Sequence, residues 1–170
     1  MDFKPFIRDI QDFPEVGIVF KDITPLLKDA QALNNASNSL YDLINSKKID
    51  KVVGVDSRGF IFAPMLASKL NAGFVPIRKV GKLPYDTISE SYDLEYGSDT
   101  LEMHNDSILK GEKVLVHDDV LATGGTAKAV CKLVENLGGE VVQCNFLIQL
   151  TFLHGASKLK GYDVKALLNY

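Results

Sequence analysis

Apolar positions recur along the chain with two different periods, and the alternation between them sets the expected architecture. Leu33, Ala36, Leu40, Leu43 and Ile44 follow a spacing of three and four, which predicts a helix over 30–46 with one apolar face. "KVVGVD" (51–56) is a short β-branched run, as expected of a strand buried on both faces. After the turn "SRGF" a second helix runs through Ala67 and Leu70, in which Pro64 fits only if it falls in the first turn. Asn71 and Gly73 close that helix, and "FVPIRK" (74–79) is the next strand. "KVLVHD" (113–118) is another. Val130, Leu133, Val134 and Leu137 then give a helix over 126–137, stopped by Gly138. "VVQCNFLIQL" (141–150) reads as a strand, and "DVKALL" (163–168) as an edge strand. Repeated strand–helix–strand units of this kind imply an α/β, Rossmann-like, mostly parallel twisted sheet flanked by helices. Ligands of such sheets bind beyond the carboxyl ends of the strands. "DSRG", "RKVGK" and "DDVLATGGT" all fall there.

Between Gly81 and His104 the helical period disappears. "YDLEY" (92–96) and "TLEMH" (100–104) alternate apolar and polar residues around the turn residues "GSD" (97–99), which predicts a β-hairpin arm. A long insertion of this kind inside a compact core is expected to serve as a lid over the site.

Composition narrows the picture. The chain has 170 residues, enough for one domain with a core, and is 46% apolar and 24% charged. Net charge is −3, so nothing favours a nucleic-acid partner. No apolar run is long enough to span a membrane, and "MDFKPFIRDIQDFPE" lacks the apolar centre of a signal peptide. Cys131 and Cys144 have no metal-ligand spacing and read as buried free thiols in a reducing compartment. A cytoplasmic protein is expected.

The densest chemistry lies in "VLVHDDVLATGGTAKAV" (114–130), where a buried strand leads into two carboxylates and then a turn of small residues. Gly124, Gly125 and Thr126 stand at a helix start, where backbone N–H groups are unpaired. The helix dipole offers an anion only about 0.3–1 kcal/mol. Charge-assisted hydrogen bonds add roughly 1.5–3 kcal/mol each. Several N–H donors with the Thr123 and Thr126 hydroxyls therefore describe a phosphate cradle. Neither GxxxxGK[ST] nor GxGxxG is present. Asp118 and Asp119, just upstream, suit the vicinal hydroxyls of a sugar whose 5-phosphate lies in the cradle, and can help hold a magnesium-bound ligand.

"VLVHDDVLATGGT" resembles the phosphoribosyl-pyrophosphate (PRPP) signature of the type I phosphoribosyltransferases. "FPEVGIVFKDITPLL" (13–27), "VVGVDSRGFIF" (52–62) and "PIRKVGKLPYDTISESYDLEYGSDTLEMH" (76–104) are similar in order and spacing to the adenine-specific branch of that family. The resemblance covers nearly the whole chain. It implies a single phosphoribosyltransferase domain over 1–170, with a hood at 1–28 and a lid hairpin at 81–104. It implies transfer of ribose 5-phosphate from PRPP to N9 of adenine, giving AMP and pyrophosphate, with magnesium carried by PRPP and pyrophosphate and no dedicated protein ligand set. A homodimer is implied as well.

Residue by residue, the resemblance implies that Asp118, Asp119, Ala122, Thr123, Gly124, Gly125 and Thr126 hold the ribose and its 5-phosphate. Asp56, Ser57, Arg58, Arg78, Lys79 and Lys82 hold pyrophosphate, with Arg58 and Lys82 catalytic and some basic residues serving a neighbouring subunit. Within that loop a cis Asp56–Ser57 peptide is implied. Val19 and Lys21 read the adenine edge through backbone groups, Phe20 stacks on the base and Leu150 packs on its other face. Lys21 stands where the family usually has Arg. Glu95 is the acid/base at adenine N7, beside Tyr96 in the lid, and Glu102 lies on the same polar face. His117 is expected to be a hydrogen-bonded strand residue, and His104 and His154 superficial. Two alternatives stand beside this reading: a 6-oxopurine phosphoribosyltransferase, and a PRPP-sensing regulator, which would need an added DNA-binding domain.

Overall fold

The computed structural model describes residues 1–93 and 98–170, and the chain divides into two compact units, Met1–Ser39 and Leu40–Tyr170. In the smaller unit, strands β1 (Arg8–Gln11) and β2 (Val19–Asp22) pair antiparallel from Arg8↔Asp22 to Gln11↔Val19. Asp22 closes this hairpin: it accepts the Arg8 guanidinium at 2.6 Å and the Thr24 N–H at 2.9 Å. These bonds, Thr24's first, hold the Asp22 carboxyl below its ordinary range. They also fix the entry to helix α1 (Thr24–Lys28). Helix α2 (Ala30–Asp42) starts where Asp29 Oδ1 accepts the Ala32 N–H at 2.8 Å, and it continues into the larger unit.

The larger unit is built on β3 (Lys51–Val55), α3 (Gly59–Leu70), β4 (Gly73–Lys79), β5 (Thr87–Asp93), β6 (Ser98–His104), β7 (Lys113–Leu121), α4 (Gly125–Asn136), β8 (Glu140–Gln149) and β9 (Val164–Asn169). Its sheet has the order β5-β6-β4-β3-β7-β8-β9. The strands from β4 to β9 in that order are parallel, as the apolar runs predict. β6 joins β4 antiparallel through Arg78↔Glu102 and Lys79↔Leu101, and carries β5 as the outer arm of a hairpin. One face packs Val53, Val116, Cys144 and Phe146 with Val130 and Leu133 of α4. Gly54 permits close helix–strand packing: a Cβ there would lie 2.7 Å from Ala63 Cβ of α3.

Three expectations are corrected. Pro64 is the sixth residue of α3, not in its first turn; it lies on the exposed side, where the carbonyl it strands can be hydrated. Ser98 and Asp99 belong to β6, not to the turn: Asp99 takes Lys79 Nζ at 2.9 Å and the Thr100 N–H at 2.9 Å, which hold it in the strand. The helix at 30–46 stops at Asp42, and Asn45 and Ser46 take positive φ. The hairpin turn falls outside the described residues. Among the described residues no helix is long and apolar enough to cross a membrane.

Candidate active site

In the larger unit, the carboxyl ends of β3, β4 and β7 bring together most of the residues singled out in the sequence. Asp118 and Asp119 lie inside β7 rather than after it. The ladder with β8 carries on through Asp118↔Phe146 to Leu121↔Gln149, and the Leu150 N–H donates to the Leu121 carbonyl at 2.9 Å. Successive side chains on a strand point to opposite faces, so the two acids diverge. Asp119 is buried, with Arg58 Nε 2.5 Å from its Oδ2. Asp118 Oδ1 accepts the Asp119 N–H at 2.9 Å. A Cβ on Gly59 would come within 2.9 Å of the same Asp118 oxygen, so the start of α3 passes directly against this carboxylate. Burial raises the Asp118 carboxyl well above its ordinary 3.8, and the Asp119 charge pushes the same way. Burial also raises Asp119, against the opposing pull of Arg58.

Ala122, Thr123 and Gly124 connect β7 to α4. Gly124 has φ +80, and no side chain caps the helix. The first-turn N–H groups, those of Gly125 and Thr126 included, are therefore left for an anion. A cavity of about 70 Å³ beside this turn is lined by Asp118, Leu121, Thr123, Gly124 and Thr126. Gly155, which sequence reading missed, backs the loop: a Cβ there would strike the Ala122 carbonyl, and one on Gly124 would strike the Gly155 carbonyl. Its signal is a contact between distant segments, which no local pattern carries.

The Asp56–Ser57 peptide after β3 is cis, as the resemblance implied. Arg58 is half-buried against Asp119, while Ser57 is exposed. Arg78 donates through Nε to Asp56 Oδ2 at 2.9 Å and through Nη1 to the Lys82 carbonyl at 3.1 Å. Lys79 is paired with Asp99. Lys82 is exposed, and its N–H donates to the Lys79 carbonyl at 3.2 Å. Glu95 and Tyr96 lie outside the described residues.

In the smaller unit, Phe20 meets Phe13 edge-to-face at 5.2 Å, Val19 is exposed, and Lys21 Nζ reaches Asp9 at 2.7 Å. Leu150, in the larger unit, is half-buried at the end of β8.

His117 is the hydrogen-bonded strand residue expected. Its Nδ1 lies 3.1 Å from Asn145 Oδ1, and burial lowers the ring from 6.5 to about 4. His104 is half-buried rather than superficial: on the face of β6 opposite the buried Leu101 and Met103, its ring meets Tyr85 edge-to-face at 6.0 Å and its Nε2 is covered. His154 is exposed. Cys131 and Cys144 are buried free thiols, Sγ to Sγ 3.5 Å. Another cavity, about 650 Å³, sits at the opposite end of the strands beside Lys48, Asp50 and Asn71. Among the described residues no three metal-ligating side chains converge.

Comparison with known proteins agrees with this geometry. The phosphoribosyl transferase domain family matches residues 22–166. The adenine phosphoribosyltransferase of Christiangramia forsetii is 62% identical over 170 residues, covering 100% of this chain and 99% of that one. The crystal structure of the Thermoanaerobacter pseudethanolicus adenine phosphoribosyltransferase superposes with a TM-score of 0.97 at 51% identity, covering 99% of this chain and 98% of the other. The Saccharomyces cerevisiae adenine phosphoribosyltransferase, complexed with an imino-altritol bisphosphate and adenine, gives 0.92 at 39% identity, with 98% and 96% covered.

Proposed function

The chain belongs to the phosphoribosyltransferase family, among its adenine phosphoribosyltransferases, and on that premise we propose how its residues share the reaction. The enzyme combines adenine with PRPP to give AMP and pyrophosphate, a step of purine salvage. The observation that carries the assignment of roles is the run from Asp118 and Asp119 on β7 into the uncapped start of α4, with Arg58 against Asp119.

The acids accept the ribose hydroxyls, and the turn 122–126 takes the 5-phosphate on backbone N–H groups and threonine hydroxyls. Substrate then exchanges with an existing contact: Asp119 releases Arg58 to the pyrophosphate as it takes the sugar. Cleavage of the anomeric bond passes through an oxocarbenium-like state, in which charge grows on the leaving pyrophosphate. Arg58 and Lys82 counter that charge where it develops. Glu95, by resemblance, handles the proton at adenine N7. Carboxylate oxygens suit a hard cation, so Asp118 and Asp119 fit magnesium bound with PRPP, which would neutralise pyrophosphate charge.

Val19 and Lys21, two residues apart on β2, turn their backbone groups to the same side of the hairpin, as edge-reading of adenine needs. The Lys21 ammonium is engaged by Asp9, which leaves base recognition to the backbone. A cytoplasmic homodimer completes the reading, and size-exclusion chromatography with light scattering tests the dimer. The functional test incubates the protein with PRPP, magnesium and each purine base in turn. AMP from adenine alone is expected. IMP or GMP formation would give a 6-oxopurine enzyme, and tight PRPP binding with no turnover a sensor.

A further inference from the structure

We propose that Glu90 and Lys132 are a positioning pair, which seats strand β5 of the hairpin on helix α4 at a set place relative to the phosphate turn. The proposal rests on the reading of Glu95, which follows β5 in the chain, as the acid/base at adenine N7. Glu90 stands on the inward face of its strand. The register pairs Ile88 with Met103 and Glu90 with Leu101, and Met103 and Leu101 are buried in the core that α4 also lines. Directly opposed residues share a face, so this face of β5 reads Ile88, Glu90, Tyr92. Ile88 and Tyr92 pack against the core. A carboxylate between them needs a partner. Lys132 of α4 supplies it, with Nζ 2.6 Å from Glu90 Oε1.

The helix end of this bond is fixed relative to the substrate site. α4 begins at Gly125, in the turn that takes the 5-phosphate, and Lys132 stands about 9 Å along the same helix from Thr126. The strand end leads on toward Glu95. Beside the pair, strand and helix do not pack tightly: a cavity of about 260 Å³ is lined by Ser91 and Tyr92 of β5 and by Gly125, Lys128 and Ala129 of α4. Apolar packing therefore does not set the spacing there. Among the described residues, one ion pair spans β5 and α4, and it is this one. Lys128, one turn back on α4, lies instead over the Tyr162 ring, 4.8 Å from its centroid. Lys132 is half-exposed, so the pair adds little to the stability of the fold. What it determines is where the arm lies, with α4 as the strut between the phosphate turn and the strand that leads to Glu95.

Charge reversal on the intact enzyme tests this. Glu90→Lys and Lys132→Glu should each lower kcat, at saturating PRPP and adenine, by about three- to tenfold, through the lost pair and the like charges that replace it. KM for PRPP should stay within about twofold of wild type, because the phosphate turn is untouched. Both changes together remake the pair in the opposite sense and should restore kcat, which a role confined to either residue alone would not allow. Hydrogen exchange across 87–92 should quicken in each single variant and slow again in the double. Wild-type kcat in the single variants, a rise in KM for PRPP in place of the loss in kcat, or a double variant as slow as the slower single would each overturn the proposal. Should Glu90→Lys fail to fold, Lys132→Glu and the double variant carry the same comparison. Glu95→Gln, measured alongside, keeps the two readings apart. If it lowers kcat and Glu90→Lys does not, the pair's role alone is overturned. If it leaves kcat unchanged, the acid/base reading falls, and the pair's route to the chemistry falls with it.

Discussion

Asp118 stands on a buried strand beside a second carboxyl, and its protonation shows what that position costs the fold. Its carboxyl is raised above 3.8 by burial first and by the Asp119 charge second. An acid whose folded value is raised binds its proton more tightly when folded than when unfolded. The stability it contributes is complete below the unfolded value and is lost as pH rises through the folded one. At neutral pH the ionised group therefore works against the fold. Asp118→Asn should raise Tm at pH 7, with a smaller gain at pH 4, since the amide oxygen can still accept the Asp119 N–H. The same change should weaken PRPP binding at least tenfold, as one charge-assisted hydrogen bond is worth roughly 1.5–3 kcal/mol. Thermal melts at the two pH values and calorimetric titration with PRPP check both halves. A variant less stable than wild type at pH 7 would contradict the burial argument.

At the scale of elements, the phosphate turn depends on a segment thirty residues downstream in roughly the way a mould depends on its backing. Gly155 lies against the Ala122 carbonyl, and Gly124 takes a left-handed φ of +80 against Gly155. Gly155→Ala must displace the turn, because the atom met is backbone and cannot swing aside. Overpacking of this kind costs about 1–3 kcal/mol. KM for PRPP should rise at least tenfold while KM for adenine changes little. Wild-type kinetics for PRPP would show that the turn yields without losing its grip. This dependence marks the boundary of what the sequence makes legible. The strands β3, β4, β7 and β8 and the helix α4 are legible because their apolar periods are local and strong. Asp118, Asp119 and Gly124 to Thr126 are legible because strand, acids and turn are contiguous. Gly155, the Arg78 bridge and the cover that Tyr85 gives His104 are packing facts between separate segments, and local spacing says nothing of them. The acids' place inside β7 was hidden for a related reason: ladder bonds to β8 outweigh the poor strand preference of two aspartates.

At the scale of the whole molecule, the residues proposed for the two substrates are spread unequally over the two units, with Leu150, proposed for adenine, in the larger one. The residues proposed for PRPP, from Asp56 to Thr126, all lie in Leu40–Tyr170, and the backbone proposed for adenine, Val19 to Lys21, lies in Met1–Ser39. Ligand that binds only the folded state stabilises it by about 2.7 kcal/mol at a hundred times Kd, and local protection appears where contacts form. Hydrogen exchange on the intact enzyme can therefore separate the two contributions. PRPP with magnesium should slow exchange across 114–128 and around 56–59, with little change across 8–22. AMP should slow exchange in both 114–128 and 8–22, because it carries the sugar phosphate and the base together. Adenine alone should protect 8–22 and leave the turn at 122–126 unchanged. Protection of 8–22 by PRPP alone, equal to that by AMP, would break this division. It would mean that the hairpin of β1 and β2 responds to the sugar rather than to the base.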